Sequence, residues 1–127
     1  MITYLINLKR ASERLISAKE TFENAGINFI LEEAVDGKYL SLPHENYSEL
    51  KYNLLHGKKT NLGELGCYLS HLNVLKKFLN TEEDWALICE DDIELDKDVI
   101  EIINSALESG INFDLLRLSG EVIELKK

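Results

Sequence analysis

The feature that most constrains this chain is a short apolar run that leads directly into three consecutive carboxylates. Residues 85–89 are apolar enough for a buried strand, and Glu90, Asp91 and Asp92 follow at once. Adjacent like charges repel unless a cation lies between them. Because side chains at i and i+2 of an extended backbone point the same way, Glu90 and Asp92 can converge on one ion while Asp91 faces elsewhere. Such oxygen ligands suit Mg²⁺ or Mn²⁺, and the simpler alternative is a solvated acidic turn.

Composition limits the classes of partner. A chain of 127 residues that is 45% hydrophobic predicts a single domain, 1–127, with a sizeable core. The net charge of −9 argues against a nucleic-acid or anionic-membrane surface, so an anionic substrate needs help from a cation. The N-terminus lacks the basic start and long apolar region of a signal peptide, which predicts a cytoplasmic protein. Cys67 and Cys89 belong to no metal-ligand spacing, and both are predicted to be reduced thiols in the core.

The first third of the chain has the pattern of a strand, a helix and a second strand. Residues 3–8 are β-prone and predict a short buried strand. Ser12 is the predicted cap of a helix with apolar positions at helical spacing, and Gly26 fits its C-terminal end. Residues 27–31 predict the second strand. This is the crossover unit of a parallel α/β sheet, in which ligands bind outside the carboxyl ends of the strands.

The middle of the chain predicts one short and one long helix. A surface excursion follows the second strand, with a short helix at residues 46–54. Asn61 and Glu64 have the spacing of a capping box at the start of an apolar stripe that predicts a helix over residues 62–79. His71 lies on a stripe of the helix surface next to the face that packs on the core. A histidine at such a position more often has a structural role than a catalytic one.

After the acidic strand, the pattern predicts a further helix and a last strand. Glu94 and Asp96 are interpreted as the cap and first-turn acids of a helix that ends before Gly110. Residues 113–118 predict the strand, and residues 121–125 a fragment of one more.

Four segments of the chain resemble the family 25 glycosyltransferases. This is the lipooligosaccharide galactosyltransferase group, which also includes collagen galactosyltransferases. The resembling blocks, in the order of the family, are residues 4–10 with Arg14, residues 34–37, residues 63–72 and residues 86–92. The block of residues 63–72 is the most distinctive, and the resemblance extends over nearly all of the chain to about Leu118.

The resemblance implies a Rossmann-like sandwich of the GT-A type with a mostly parallel sheet, apparently truncated. It implies transfer of a hexose, galactose from UDP-galactose, to a lipooligosaccharide or lipopolysaccharide acceptor with Mn²⁺ or Mg²⁺ as cofactor. Glu90 and Asp92 are then the metal ligands, and Asp36 is placed at the ribose or uracil. Asn7, Lys9 and Arg10 are placed at the nucleotide or its phosphates. The remaining predicted substrate residues, without an assigned chemical step, are Glu64, His71 and Asp91.

The chain also departs from the family. Members usually continue well beyond this length, and the later part carries much of the acceptor site and commonly the base of an inverting transfer. No residue after Asp98 is an evident base. A module that binds the sugar nucleotide without transferring the sugar is therefore the main alternative. A receiver-type phosphoacceptor domain is a remote one, because the acidic run lies past the middle of the chain and Asp114 starts its predicted strand.

Partners follow from the same resemblance. A lipopolysaccharide acceptor would bring the protein to the inner face of the inner membrane as a peripheral protein. An apolar sheet edge exposed by truncation predicts a homodimer.

Overall fold

The computed structural model describes residues 1–118 of the chain. The elements are β1 (Ile2–Asn7), α1 (Ser12–Asn24), β2 (Ile30–Glu33), α2 (Glu49–His56), α3 (Leu62–Phe78), β3 (Ala86–Glu90) and α4 (Val99–Glu108), with one 3-10 turn at Gly37–Tyr39. The chain divides into two compact units, Met1–Asp96 and Lys97–Lys127. The first unit contains all the described strands and three helices, and the second contains α4. The expectation of a single domain stays a prediction.

The first unit is built on a three-stranded, all-parallel sheet. The strand order is β2-β1-β3, so the first strand of the chain is the central one. Asn7 of β1 pairs with Glu33 of β2, and Ile6 of β1 pairs with Glu90 of β3. The carboxyl ends of all three strands therefore lie at the same edge of the sheet. This confirms the predicted Rossmann-like α/β class.

Two hydrophobic clusters cover the two faces of the central strand. Leu5 packs with Ala18 and Phe22 of α1 on one face. Tyr4 and Ile6 point the other way and pack with Val74 of α3. Because β1 is covered on both faces, its apolar run is nearly continuous, as is typical of a central parallel strand. The two faces also explain why α1 and α3 are amphipathic.

The boundaries of α1 and β2 differ from the sequence prediction. Ser12 is the first helical residue and not the cap; Ala11 occupies the cap position and makes no side-chain capping bond. Gly26 lies just past the helix with a φ of 67°, which confirms its predicted role at the C-terminal end. β2 begins at Ile30 and not at Ile27, because the register with β1 starts only there. Ile27 instead packs against the core cluster.

The helices of the middle segment confirm the predicted order, with a shift in α2 and half of the predicted capping box. α2 covers Glu49–His56, so it begins three residues later and ends two residues later than expected. The side chain of Asn61 caps α3 by accepting a hydrogen bond of 2.8 Å from the backbone N–H of Gly63. Glu64 does not complete the capping box. Its carboxylate instead accepts hydrogen bonds from the Tyr52 hydroxyl and from the Lys58 Nζ, at 3.0 Å for the lysine.

A close contact holds α3 against the loop that follows β2. A Cβ added at Gly66 would lie 2.5 Å from the carbonyl oxygen of Val35, and one added at Gly37 would lie 2.2 Å from the carbonyl oxygen of Leu62. The buried Ser70 hydroxyl accepts a hydrogen bond of 2.8 Å from the backbone N–H of Val35 and donates one of 2.7 Å to the carbonyl of Gly66. Two of the blocks that carry the family resemblance therefore meet at a contact where only glycine fits.

The second unit corrects two further predictions. α4 begins at Val99 with Asp98 at the cap position, so Glu94 and Asp96 precede the helix and its first turn. Residues 113–118 have no regular secondary structure, and the Leu115 side chain is 86% exposed, since an apolar alternation forms a strand only where a partner supplies the ladder. The proposed fragment at residues 121–125 lies outside the described residues. None of the helices in the described part of the chain is long and apolar enough to cross a bilayer.

Candidate functional site

A cavity of about 380 Å³ opens at the carboxyl ends of the strands in the first unit. It lies at the ends of β1 and β3 and is also lined by the loop after β2. Because β2 and β3 lie on opposite sides of β1, the strand order reverses between β1 and β3. Such a switch point is where open α/β sheets bind ligands. The charged and polar lining residues are Arg10, Arg14, Asp36, Lys38, Cys67, Ser70, His71, Glu90 and Asp91. The first turn of α3 also lines the cavity, through Leu62 and Gly63.

An ion pair joins the loop after β1 to the loop after β2. The Nε–H of Arg10 donates a hydrogen bond of 2.7 Å to Oδ2 of Asp36, and the backbone N–H of Lys38 donates one of 3.0 Å to Oδ1. The hydrogen bond from Arg10, followed by that from Lys38, lowers the pKa of Asp36. The predicted phosphate residue and the predicted ribose residue are thus in direct contact.

Replacing Arg10 by alanine is expected to raise the pKa of Asp36 toward its ordinary value, because the largest cause of the lowered value is removed. A carboxyl whose folded pKa is depressed contributes stability above its unfolded pKa, and that contribution is lost as the pH falls through the folded pKa. Titration of the Asp36 carboxyl by NMR measures the shift. Arg14→Ala is the matched control, and an equal rise in both variants would contradict the assignment.

A second ion pair, between Asp91 and Arg14, lies near the ends of β1 and β3. Asp91 is buried, and its Oδ2 accepts a hydrogen bond of 2.6 Å from the side-chain amide of Asn7. Its Oδ1 lies 3.2 Å from a terminal nitrogen of Arg14 in α1. The Asn7 amide also donates to the carbonyl of Ala11, at 3.2 Å. Asp91 therefore fixes the turn after β1 and lines the cavity at the same time.

The opposite wall of the cavity is a cluster of Cys67, His71 and Glu90. The Glu90 Oε1 lies 3.1 Å from the Nε2 of His71 and 3.6 Å from the Sγ of Cys67. Burial, and then the negative charges of Glu90 and Asp92, raise the pKa of the Cys67 thiol. The prediction that Cys67 is a core thiol is wrong, because this residue is exposed, whereas Cys89 is buried and burial raises its pKa to about 11.

Sequence analysis missed this cluster, although a signal was present. Cys67 and His71 are four residues apart, the spacing that places two side chains on the same face of a helix. The third member, Glu90, lies at the end of strand β3. Only the packing of α3 on the sheet brings it near Cys67 and His71.

The other predicted site residues are placed as follows. Asn7 lies beneath the cavity, where it holds Asp91. Lys9 is exposed, and neither it nor Glu64 lines the cavity. The hydrogen bond from Tyr52, and then that from Lys58, lowers the pKa of Glu64. Asp92 is exposed beside the cavity and is not one of its lining residues.

At the end of β3, the Glu90 carboxylate contacts His71 and Cys67. Asp91 is directed to Asn7 and Arg14 instead. Asp92 is exposed in the turn that follows the strand. Carboxylate oxygens such as those of Glu90 and Asp92 are the ligands that Mg²⁺ and Mn²⁺ prefer. The assignment of Glu90 and Asp92 as metal ligands stays a prediction.

The fold and the site define a class: a Rossmann-like α/β protein with a polar ligand cavity at the carboxyl ends of its parallel strands. Comparison with known proteins narrows this class. The sequence profile of glycosyltransferase family 25, described as an LPS biosynthesis protein family, matches residues 1–125. The chain belongs to glycosyltransferase family 25.

Three similar proteins come from animals. A glycosyltransferase 25 family member of Drosophila pseudoobscura pseudoobscura is 30% identical, over 89% of this chain and 19% of its own length. Procollagen galactosyltransferase 1-B of Xenopus laevis is 33% identical, over 73% and 16%. Procollagen galactosyltransferase 2 of Homo sapiens is 28% identical, over 98% and 21%. The chain thus spans about a fifth of the length of the curated relatives it matches.

Proposed function

We propose that this chain binds UDP-galactose in the cavity at the ends of β1 and β3, for transfer of galactose to a glycan acceptor. The observation that carries the proposal is the convergence of all four resembling blocks on one cavity. Family membership implies a sugar donor and an acceptor. The volume of about 380 Å³ lies within the usual range for small-molecule sites, about 300–1,000 Å³.

The charges of the cavity support a diphosphate ligand. Although the whole chain is acidic, Arg10, Arg14 and Lys38 line the cavity, and two of its three lining carboxylates pair with the arginines. The two arginine side chains are about half exposed, 54% and 50%, and each guanidinium has five N–H donors, of which the ion pairs use few. The first turn of α3 adds the positive end of a helix dipole. These groups suit the binding and orientation of the two phosphates.

A divalent cation is the proposed cofactor. Glu90 and Asp92 would hold Mn²⁺ or Mg²⁺, which would neutralise the charge that develops on the departing diphosphate. The protein side chains have separate roles: Asp91 holds Arg14 toward the cavity, and Asp36 holds Arg10. Both contacts fix the guanidinium groups before the donor binds, which favours stabilisation of developing charge.

The proposed acceptor is inferred from the description of the family and from the names of similar proteins. The description of the family as LPS biosynthesis proteins favours a lipooligosaccharide or lipopolysaccharide acceptor, and with it a cytoplasmic protein at the inner face of the inner membrane. The names of the frog and human relatives favour procollagen. Donor binding without transfer is the second candidate function. The receiver-type alternative is not retained, because the chain belongs to a glycosyltransferase family.

UDP-galactose is expected to raise the melting temperature only in the presence of Mn²⁺ or Mg²⁺, and Asp92→Ala is expected to abolish the increase. A ligand at 100 times its dissociation constant stabilises the folded state by about 2.7 kcal/mol, which thermal unfolding readily detects. Asp84→Ala, which changes an exposed aspartate outside the cavity, is the matched control. A metal-independent increase, or an equal increase in Asp92→Ala, would overturn the metal assignment.

An assay of galactose transfer distinguishes an enzyme from a module that only binds the sugar nucleotide. Incubation with UDP-[³H]galactose, Mn²⁺ and either a lipooligosaccharide core or procollagen measures incorporation of label into each acceptor. Label in one acceptor supports transfer and identifies its class. Metal-dependent donor binding without label in either acceptor favours the binding module.

A further inference from the structure

We propose that Cys67, His71 and Glu90 form a binding site for a thiophilic divalent cation of the Zn²⁺ class, which shares Glu90 with the proposed oxygen-ligand site and uses Cys67 and His71 in place of Asp92. The three side chains offer a sulfur, a nitrogen and an oxygen atom that all lie within 4.8 Å of one another. All three line the same cavity. Sulfur, imidazole and carboxylate are the ligands that Zn²⁺ prefers in proteins.

The two distances from the Glu90 carboxylate are close to those of a tetrahedral site. With Zn–N and Zn–O bonds of about 2.0 Å and a Zn–S bond of about 2.3 Å, tetrahedral angles separate the ligand atoms by about 3.3–3.6 Å. The Glu90 Oε1 lies 3.1 Å from the His71 Nε2 and 3.6 Å from the Cys67 Sγ. The 3.6 Å distance lies in that range, and a shift of a few tenths of an ångström would bring the 3.1 Å distance into it.

The positions of the three residues favour a preformed site. Cys67 and His71 are one turn apart on α3, a helix whose buried residues pack on the sheet, and Glu90 is the last residue of β3. Both elements are rigid, so the ligand atoms are brought together by the fold and not by the ion. Three protein ligands beside an open cavity leave a fourth position for water or a ligand, as in open zinc sites.

A thiol nucleophile is the competing interpretation, and the surroundings of Cys67 disfavour it. The His71 nitrogen contacts Glu90, and the Cys67 thiol also donates to Glu90. A nucleophilic cysteine needs a neighbouring cation that stabilises the thiolate, whereas the Sγ of Cys67 lies 3.6 Å from the Glu90 carboxylate. A bound divalent ion supplies that positive charge and binds the thiolate itself.

Titration with Co²⁺ tests the site, because a cobalt–thiolate bond gives a ligand-to-metal charge-transfer absorption that oxygen ligands do not. We expect the band to appear at one Co²⁺ per chain, to be removed by Zn²⁺, and to be absent in Cys67→Ala. His71→Ala should weaken the Co²⁺ affinity by more than about tenfold, since loss of an outer partner of a ligand alone costs about 10–100-fold. Absence of the band in the wild-type protein, or its survival in Cys67→Ala, would overturn the proposal.

Matched variants distinguish the proposed Zn²⁺ site from other metal-binding side chains of the protein. Cys89→Ala removes the other cysteine and His56→Ala removes an exposed histidine outside the cavity, and both should keep the band. Asp92→Asn should also keep it, whereas the proposed donor binding with Mn²⁺ is expected to need Asp92. The two proposals can therefore fail independently.

Alkylation provides a second readout that does not depend on the folding of the Cys89 variant. Cys67 is exposed and Cys89 is buried, so iodoacetamide should label Cys67 first in the native protein. We expect Zn²⁺ to slow this labelling at least tenfold, with the labelled residue identified by mass spectrometry. Equal rates with and without Zn²⁺ would contradict the site.

Discussion

Gly66→Ala is expected to lower the free energy of unfolding by about 3 kcal/mol or more, because an added methyl group has no space. Its Cβ would lie 2.5 Å from the carbonyl oxygen of Val35 and 3.0 Å from the backbone nitrogen of Gly37. Both are backbone atoms, so relief requires α3 to move away from the loop after β2. That movement would also break the hydrogen bonds of Ser70. Urea unfolding followed by circular dichroism measures the loss.

Gly63→Ala is the matched control for this substitution. Gly63 lies in the same helix, and a Cβ there would meet a side-chain atom of Asn61 at 3.1 Å and no backbone atom. Alanine has the higher helix propensity, so we expect the stability of Gly63→Ala to lie within about 1 kcal/mol of the wild type. Similar unfolding midpoints for the two variants would show that the close contact at Gly66 does not limit stability.

Asp91→Ala is expected to lower the free energy of unfolding by about 2–3 kcal/mol, because the buried Asn7 amide loses the nearer of its two acceptors. The Asn7 amide is buried, and its hydrogen bond of 2.6 Å to Asp91 joins the ends of β1 and β3. The ion pair with Arg14 adds little, since the arginine side chain is 50% exposed and screened by water. Urea unfolding in the presence of a chelator measures stability without any contribution from bound metal.

The neighbouring acid is the control for Asp91. Asp92 is exposed, so Asp92→Ala should change stability by less than about 0.5 kcal/mol under the same conditions. Arg14→Ala should likewise lose no more than about 1 kcal/mol. If Asp91→Ala and Asp92→Ala were equally stable, the hydrogen bond to Asn7 would not be a structural one.

Local sequence patterns predicted the helices and strands whose formation depends on the residues within them. The apolar run of β1 and the apolar stripe of α3 each follow from burial by the core, and the structure places β1 at Ile2–Asn7 and α3 at Leu62–Phe78. The side of the chain to which Asp91 turns was also predictable, from the alternation of an extended backbone.

The remaining details depend on partners that are distant in the sequence. β2 starts at Ile30 because β1 sets the register, and nothing in residues 27–33 shows this. Glu64 does not complete the capping box, because Tyr52 and Lys58 compete for its carboxylate. Burial of Asp91 follows from Asn7, a residue 84 positions away. In each case a tertiary contact overrides a local preference.

The strand order has a consequence for synthesis on the ribosome. The central strand β1 emerges before the other two described strands, but its second neighbour, β3, is translated about 80 residues later. Until then a nascent chain can pair β1 only with β2, and one long edge of the growing sheet stays open to other strands. Translation of residues 86–91 pairs that edge of β1 and supplies Glu90 and Asp91 in the same step, so the described three-stranded sheet and its cavity form together.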